Sequence, residues 1–441
     1  MTNKLKAIFA SIFFICIAAN AVMAQDTKSI SLQEAINLSI KNSKNLKAAN
    51  ARIDEATAGV KEAYNNQLPD FKVSGSYLRL SSANVVLKTK SDSAGGGGGH
   101  IPKINSAAYG IANLSLPIYA GGRIKYGIES AKYLAQAASL DADNDKDAVI
   151  YNTTNAYINL YKAEAAVNIV KENLQSSMSR DTNFSNLEKN GILARNDLLK
   201  SQLQTSNIEL SLLDAENNLK IANINMDLML GLAENTTISI DSSFIKTDQN
   251  LMAFPDYENA ALQNRKDVQA LALRKKAATT GIKSARAEAY PTIGLSGGYV
   301  AAYIPHLVTI TNAINIGVGV SYNIASLWKT NTKLLQAKAR ETEVNANEEI
   351  LGDAVRLQIN KDYQAYLLSQ KKIDVYEKAT EQATENYRIT NNKYNNSLVT
   401  ITDLLEADVS LLQAKLNSSF AKADAVLAYN KLLQTAGLLS K

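Results

Sequence analysis

Apolar and polar residues alternate with two different periods along this chain, and the change from one period to the other recurs at a recognisable corner. At Leu116-Pro117-Ile118-Tyr119-Ala120-Gly121-Gly122-Arg123 the period moves from two to about 3.6, the mark of a strand running into a helix. Gly121-Gly122 permits a sharp change of direction, and Pro117 sits near a strand end, where a missing N–H is tolerated. A second corner, Tyr322-Asn323-Ile324-Ala325-Ser326-Leu327-Trp328-Lys329, aligns with the first. The same ungapped register sets Tyr363 on Tyr157, Asp403-Leu404-Leu405 on Asp197-Leu198-Leu199, and Gly437 on Gly231. The chain reads as a tandem duplication.

Around each corner the pattern predicts the same order of elements. Leu32 to Asn66 is helical, with Ser31 and Glu34 offering a capping box. Phe71, Val73, Gly75 and Tyr77 then alternate with Lys72, Ser74 and Ser76, and after a glycine-rich loop (Gly95 to Gly99, His100) a return strand covers about Ala108 to Ile118. Ile128 to Asn190 contains neither Gly nor Pro, enough for a helix of roughly 95 Å at 1.5 Å per residue. Its seam Thr153, Leu160, Val167, Leu174 repeats every seven residues, as does Ile359, Tyr366, Ile373, Thr380, Tyr387, Tyr394 in the second copy, which implies coiled-coil packing. Asn190-Gly191 breaks the helix, Asn196 is placed to cap the next, and Gly231 ends it. The expected layout is a first repeat at 25–233 (β-hairpin about 70–118, helical hairpin about 123–232), a mixed linker at 234–255 with Thr237 to Ile240, and a second repeat at 256–441 (β-hairpin about 291–324, helical hairpin about 327–438).

Composition narrows the class. Lys4 and Lys6 precede the apolar run Ala7 to Ala19, and Val22-Met23-Ala24 precedes Gln25, so residues 1–24 read as a secretory signal. Cys16, the single cysteine, falls inside it; lipoprotein cleavage there is the sharper reading, but Phe13-Phe14-Ile15 is bulky for such a site, and loss of Cys16 with the signal is preferred. No later stretch is apolar enough for a membrane helix, and the net charge of +5 is spread among interspersed acids, which is no nucleic-acid profile. His100 and His306 are the only histidines, and no nucleotide-binding or HExxH motif occurs, so neither an enzyme, a metal site nor a cofactor is expected.

Each repeat offers two strands long enough for the tilted crossing of an outer-membrane barrel, about 9–11 residues. Four strands cannot close, so other copies must satisfy the edges; an eight-stranded barrel fills with its own side chains, and a conduit needs at least three copies. Tyr77, Tyr119, Tyr299 and Trp328 suit an aromatic belt, though aromatics are also ordinary strand residues.

This order of elements, with LPIYAGGR at the corner and a Leu-Leu motif after each helix break, resembles the TolC family of outer-membrane efflux channels over essentially the whole mature chain. The resemblance implies a mainly α protein with transmembrane β: a homotrimer whose 12-stranded β-barrel crosses the outer membrane and continues into a coiled-coil helical barrel in the periplasm. It further implies a passive exit duct for an inner-membrane pump, or for type I secretion, joined through a periplasmic adaptor (membrane fusion) protein, with outer-membrane lipid as its surroundings. By the same resemblance the aperture involves Asp197, Tyr394, Asp403 and Glu406, while Val399 stands where the family has an arginine. Asp197 and Asp403 also suit the positive ends of helices capped at Asn196 and Thr402, without any role in gating. Asp403 and Glu406 lie one turn apart, where a threefold axis would gather them into acidic rings. The rival reading is a structural or adhesive coiled-coil stalk.

Overall fold

A computed structural model describes residues 27–83, 104–246, 251–305 and 307–439. The expected signal with Cys16, the glycine run and both histidines lie outside these residues. The elements in order are β1 (Thr27–Ile30), α1 (Leu32–Asn42), α2 (Lys44–Asn65), β2 (Asp70–Ala83), β3 (Ile104–Ala120), α3 (Arg123–Lys189), α4 (Arg195–Leu230) and β4 (Thr237–Ile240). After a 3-10 turn at Ser242–Lys246 come α5 (Phe254–Asn264), α6 (Lys266–Ala287), β5 (Thr292–Ile304), β6 (Val308–Ser321), a second 3-10 turn at Ile324–Leu327, α7 (Thr332–Asn395) and α8 (Ile401–Thr435). Contacts divide the chain into two compact units: one holds the residues up to Lys47, Asn144–Arg265 and Ala354 onward; the other holds Ala48–Asp143 and Lys266–Asp353.

The unit containing β2, β3, β5 and β6 is built on a four-stranded antiparallel sheet in the order β2-β3-β5-β6. Its registers put Phe71, Val73 and Tyr77 on one face with Leu114, Leu295, Tyr299, Ile314, Ile316 and Val318. Lys72, Ser74, Asn113, Ser296, Gly298, Asn315 and Gly317 share the other. The apolar face is uncovered: Ile316 is 81% exposed and every residue of β6 is exposed. Asn312 sits at a bulge with φ 59°, where its N–H donates to the Tyr299 hydroxyl (3.4 Å). Pro117 lies beyond Ser115, the last β3 residue paired with β2, so no ladder bond from β2 is demanded of it.

The other unit is helical around a small parallel pair, β1 with β4, which the periodicity of the chain does not predict. Tyr157, fully buried, donates its hydroxyl to the Ile30 carbonyl (2.8 Å) and meets Phe244 edge-on at 5.5 Å. Burial foremost pushes the Tyr157 phenol up to about 12. Ile30, Ile158, Leu160, Met226, Leu230 and Ile238 complete this core.

One expectation needs correcting here. The helix expected from Leu32 to Asn66 is broken at Ser43, which is extended (φ −61°, ψ 119°) and accepts from the Leu46 N–H, so it restarts the helix as a cap. The second copy breaks at the matching Arg265 (φ −60°, ψ 129°). Each break receives the glycine that ends a long hairpin: a β-carbon on Gly231 would lie 3.0 Å from Asn42, and one on Gly437 2.8 Å from the Arg265 nitrogen. Both glycines have positive φ, so the position suits glycine twice over.

Candidate functional site

The two helix-turn-helix ends are formed alike. After α3, the Ile192 N–H donates to the Leu187 carbonyl and that of Gly191 to Glu188, both at 2.9 Å; after α7, Leu398 donates to Lys393 and Ser397 to Tyr394 at the same distance. Each is a Schellman turn through a left-handed residue, Gly191 (φ 70°) in the first and Ser397 (φ 58°) in the second. Ile192 and Leu398, the next residues, are each 73% exposed.

The caps differ from those expected. The N-cap of α4 is Ala194, without a side-chain bond, rather than Asn196; that of α8 is Thr400 rather than Thr402. Each N-cap stands three residues after the left-handed residue of its turn, so each helix begins before the side chain that looked best suited to cap it. Thr400 and Asp403 form a reciprocal capping box, in which the Asp403 carboxylate accepts from the Thr400 N–H (2.8 Å) and hydroxyl (2.6 Å). The Thr400 hydroxyl bond, then the backbone one, holds the Asp403 carboxyl below its usual range.

Asp197 occupies the same third helical position but has no capping side chain to hold it. It lies 3.5 Å from Lys200 and lines a groove of about 1070 Å³ with Arg180, Tyr387, Tyr394 and Val399. Tyr394 stacks at a tilt on Phe184, ring centroids 5.5 Å apart, over a buried cluster of Phe184, Leu198, Ile401 and Leu404. Its phenol is raised, first by burial and then by Asp197, against a smaller opposing effect of Arg180. Thus Asp197 and Tyr394 share one site. Glu406 lies apart from it, in a separate groove with Lys200, Leu203, Leu405 and Val409, and Asp403 and Glu406 are both exposed.

A further group escapes a reading of the chain alone. Arg180 of α3 and Asp408 of α8 form an ion pair at 2.8 Å with side chains only 9% and 5% exposed. Asn173 donates to Asp408 (3.1 Å), Arg180 also to the Ser177 hydroxyl (3.0 Å), and Ser177 shares a 2.6 Å bond with Thr205 of α4. The Tyr387 phenol, raised mainly by burial and then by Asp408, is lowered in part by Arg180 beside it. The available signal was Asp408 one turn after Leu404, a charge on an otherwise apolar helix face.

At the corner, Gly121 (φ 62°) and Gly122 (φ 90°) adopt conformations that L residues rarely hold, and a β-carbon on Gly121 would meet the Ala287 carbonyl oxygen at 2.5 Å. Trp328 closes the turn that precedes α7, its backbone N–H donating to the Ala325 carbonyl (3.3 Å), and the residue is 71% exposed.

The family model described as outer membrane efflux protein matches residues 35–232 and again 258–438. The chain belongs to the outer membrane efflux protein family. Membership places this efflux-family protein in the outer membrane. Among solved structures, the Campylobacter jejuni CmeC outer membrane channel matches with a TM-score of 0.76 at 18% identity, covering 95% of this chain and 90% of that one. The outer membrane protein VceC from Vibrio cholerae matches at 0.74 and 19% identity, covering 92% and 96% respectively. The open state of the Neisseria gonorrhoeae MtrE outer membrane channel matches at 0.71 and 19% identity, covering 92% and 89%. No curated protein sequence matches. At these identities the structural likeness establishes the fold.

Proposed function

We propose that three copies of this efflux-family chain form a passive channel: a 12-stranded barrel in the outer membrane, extended through the periplasm by the helices. In this reading it is the exit duct of an inner-membrane efflux pump or type I secretion system, reached through a periplasmic adaptor. The observation that carries it is the sheet. One face is apolar and exposed, the other is mixed, with Lys72, Ser74, Asn113, Ser296, Gly298, Asn315 and Gly317 among its residues, and only the β3 and β5 strands are paired on both sides. In lipid an unpaired edge costs several kcal/mol per backbone group, so β2 and β6 must pair with other copies. The glycines and serines of this mixed face leave a lumen open, as a duct requires. A coiled-coil stalk has no use for such a sheet.

The aperture is assigned to the two helix turns. Asp197 and Tyr394 hold neighbouring helices there, Arg180 supplies the cation that Val399 cannot, and Asp403 with Glu406 face water as acidic rings around the axis. No cofactor takes part, because conduction needs none. The test is conductance of the purified protein in planar bilayers. Stable cation-selective steps are expected, reduced in selectivity by Asp403→Asn with Glu406→Gln; an inserted oligomer without conductance, even after these substitutions, would favour the stalk.

A further inference from the structure

We propose that the end of the sheet from which the helices leave is a binding surface for anionic phospholipid headgroups. The inference rests on the channel reading, which puts this end at one face of the bilayer. The registers place Ala120, Thr292 and Ser321 in one row, so β3, β5 and β6 share that end. Around it stand four exposed aromatic side chains, Tyr119, Tyr290, Tyr322 and Trp328, with Trp328 the most exposed. Tyr119 is paired with Ile293 at this end of the sheet, and rings with one polar edge favour the headgroup level.

Cations lie beside them. Arg123 and Lys125 follow β3 directly, and Lys329 follows Trp328; all three are exposed, and none has an ion-pair partner among the described residues. Lys333, also exposed, is paired with Glu288 at 2.7 Å. Arg123 and Lys329 occupy matching positions in the two repeats, so a trimer would carry six such cations around its circumference. Their placement runs against local helix energetics. The first turns of α1, α4, α5, α6 and α8 each hold an acid, as the positive helix end favours. The first turns of α3 and α7 hold none and carry Arg123, Lys125 and Lys333 instead; that of α2, which resumes after the Ser43 break, likewise holds none and carries Lys44 and Lys47. The helix position alone does not set these cations apart; the exposed aromatic side chains and the lipid face beside them make a phospholipid headgroup the anion they would meet.

Trp328 is the only tryptophan, so its fluorescence reports on this surface alone. The protein is reconstituted into zwitterionic vesicles containing an equal fraction of brominated phosphatidylglycerol or brominated phosphatidylcholine, and quenching is compared. Quenching by the anionic lipid is expected to exceed that by the zwitterionic one by about twofold at low salt. The excess should vanish at high salt and in the Arg123→Gln, Lys125→Gln, Lys329→Gln variant. Equal quenching by both lipids in the parent protein would overturn the headgroup proposal while leaving the barrel reading standing. Absence of quenching by either would overturn both.

Discussion

Replacing Arg180 with Met keeps the stem of the side chain and removes its charge, leaving the Asp408 carboxylate buried beside the Asn173 amide that donates to it. Two unit charges 2.8 Å apart attract by about 6 kcal/mol at an effective dielectric constant of about 20, before the cost of desolvating them is set against it. Breaking one partner of such a pair costs about 3–5 kcal/mol, because the remaining charge stays buried without compensation. Since the pair joins α3 of the first repeat to α8 of the second, the loss should appear as local separation of these helices. At 1.4 kcal/mol per decade, amide hydrogen exchange of the peptides around 174–184 and 401–412 should accelerate by about 100- to 4000-fold. Arg180→Lys, which keeps the charge but not the second bond to Ser177, should fall between. The double variant Arg180→Met with Asp408→Leu should return towards the parent, as apolar replacements of buried pairs do. Exchange in Arg180→Met within threefold of the parent, or a double variant as fast as the single one, would refute the reasoning.

Ser397→Gly should stabilise the second turn by about 1 kcal/mol, since glycine removes the left-handed penalty that serine bears there; chemical denaturation of the helical signal reads it, and a loss of stability would contradict it. Gly121→Ala should lower the yield of folded oligomer severely, because its β-carbon would add an overlap with backbone to an unfavourable φ; solution sizing in detergent checks this. Asp227 is fully buried and its carboxyl is pushed up to about 6, by burial and then by Glu234. A carboxyl raised in the folded state binds its proton more tightly there, so it costs stability increasingly as pH rises from the unfolded value near 3.8 through about 6. Asp227→Asn should therefore be more stable than the parent at pH 7.5, by up to about 3 kcal/mol, and the advantage should fade below pH 4 in thermal melts.

Much of this architecture was legible because it rests on period and on glycine. Gly121-Gly122, Gly191, Gly231 and Gly437 all have positive φ, a conformation whose steric rule is local and visible in a chain. Ser43 was not legible as a break, since neither Gly nor Pro marks it and the apolar pattern continues across it. The caps at Ala194 and Thr400 depend on where the turn finishes, so Asn196 and Thr402, better placed by composition alone, lie inside their helices. β1 consists of four residues whose partner strand begins only at Thr237, too short for a period and too distant for a turn signal. The Arg180–Asp408 pair spans 228 positions, and no local spacing rule connects them.

The central claim, that three copies close one barrel, is tested most directly at the free edges of the sheet. Single cysteines are paired across β2 and β6, for example Ser74→Cys with Asn315→Cys and neighbouring registers, and the oxidised protein is unfolded and sized. The account predicts bands of one, two and three linked chains, with three the largest at full oxidation. A ladder extending past three, or bridges formed only within one chain in every register, would contradict it.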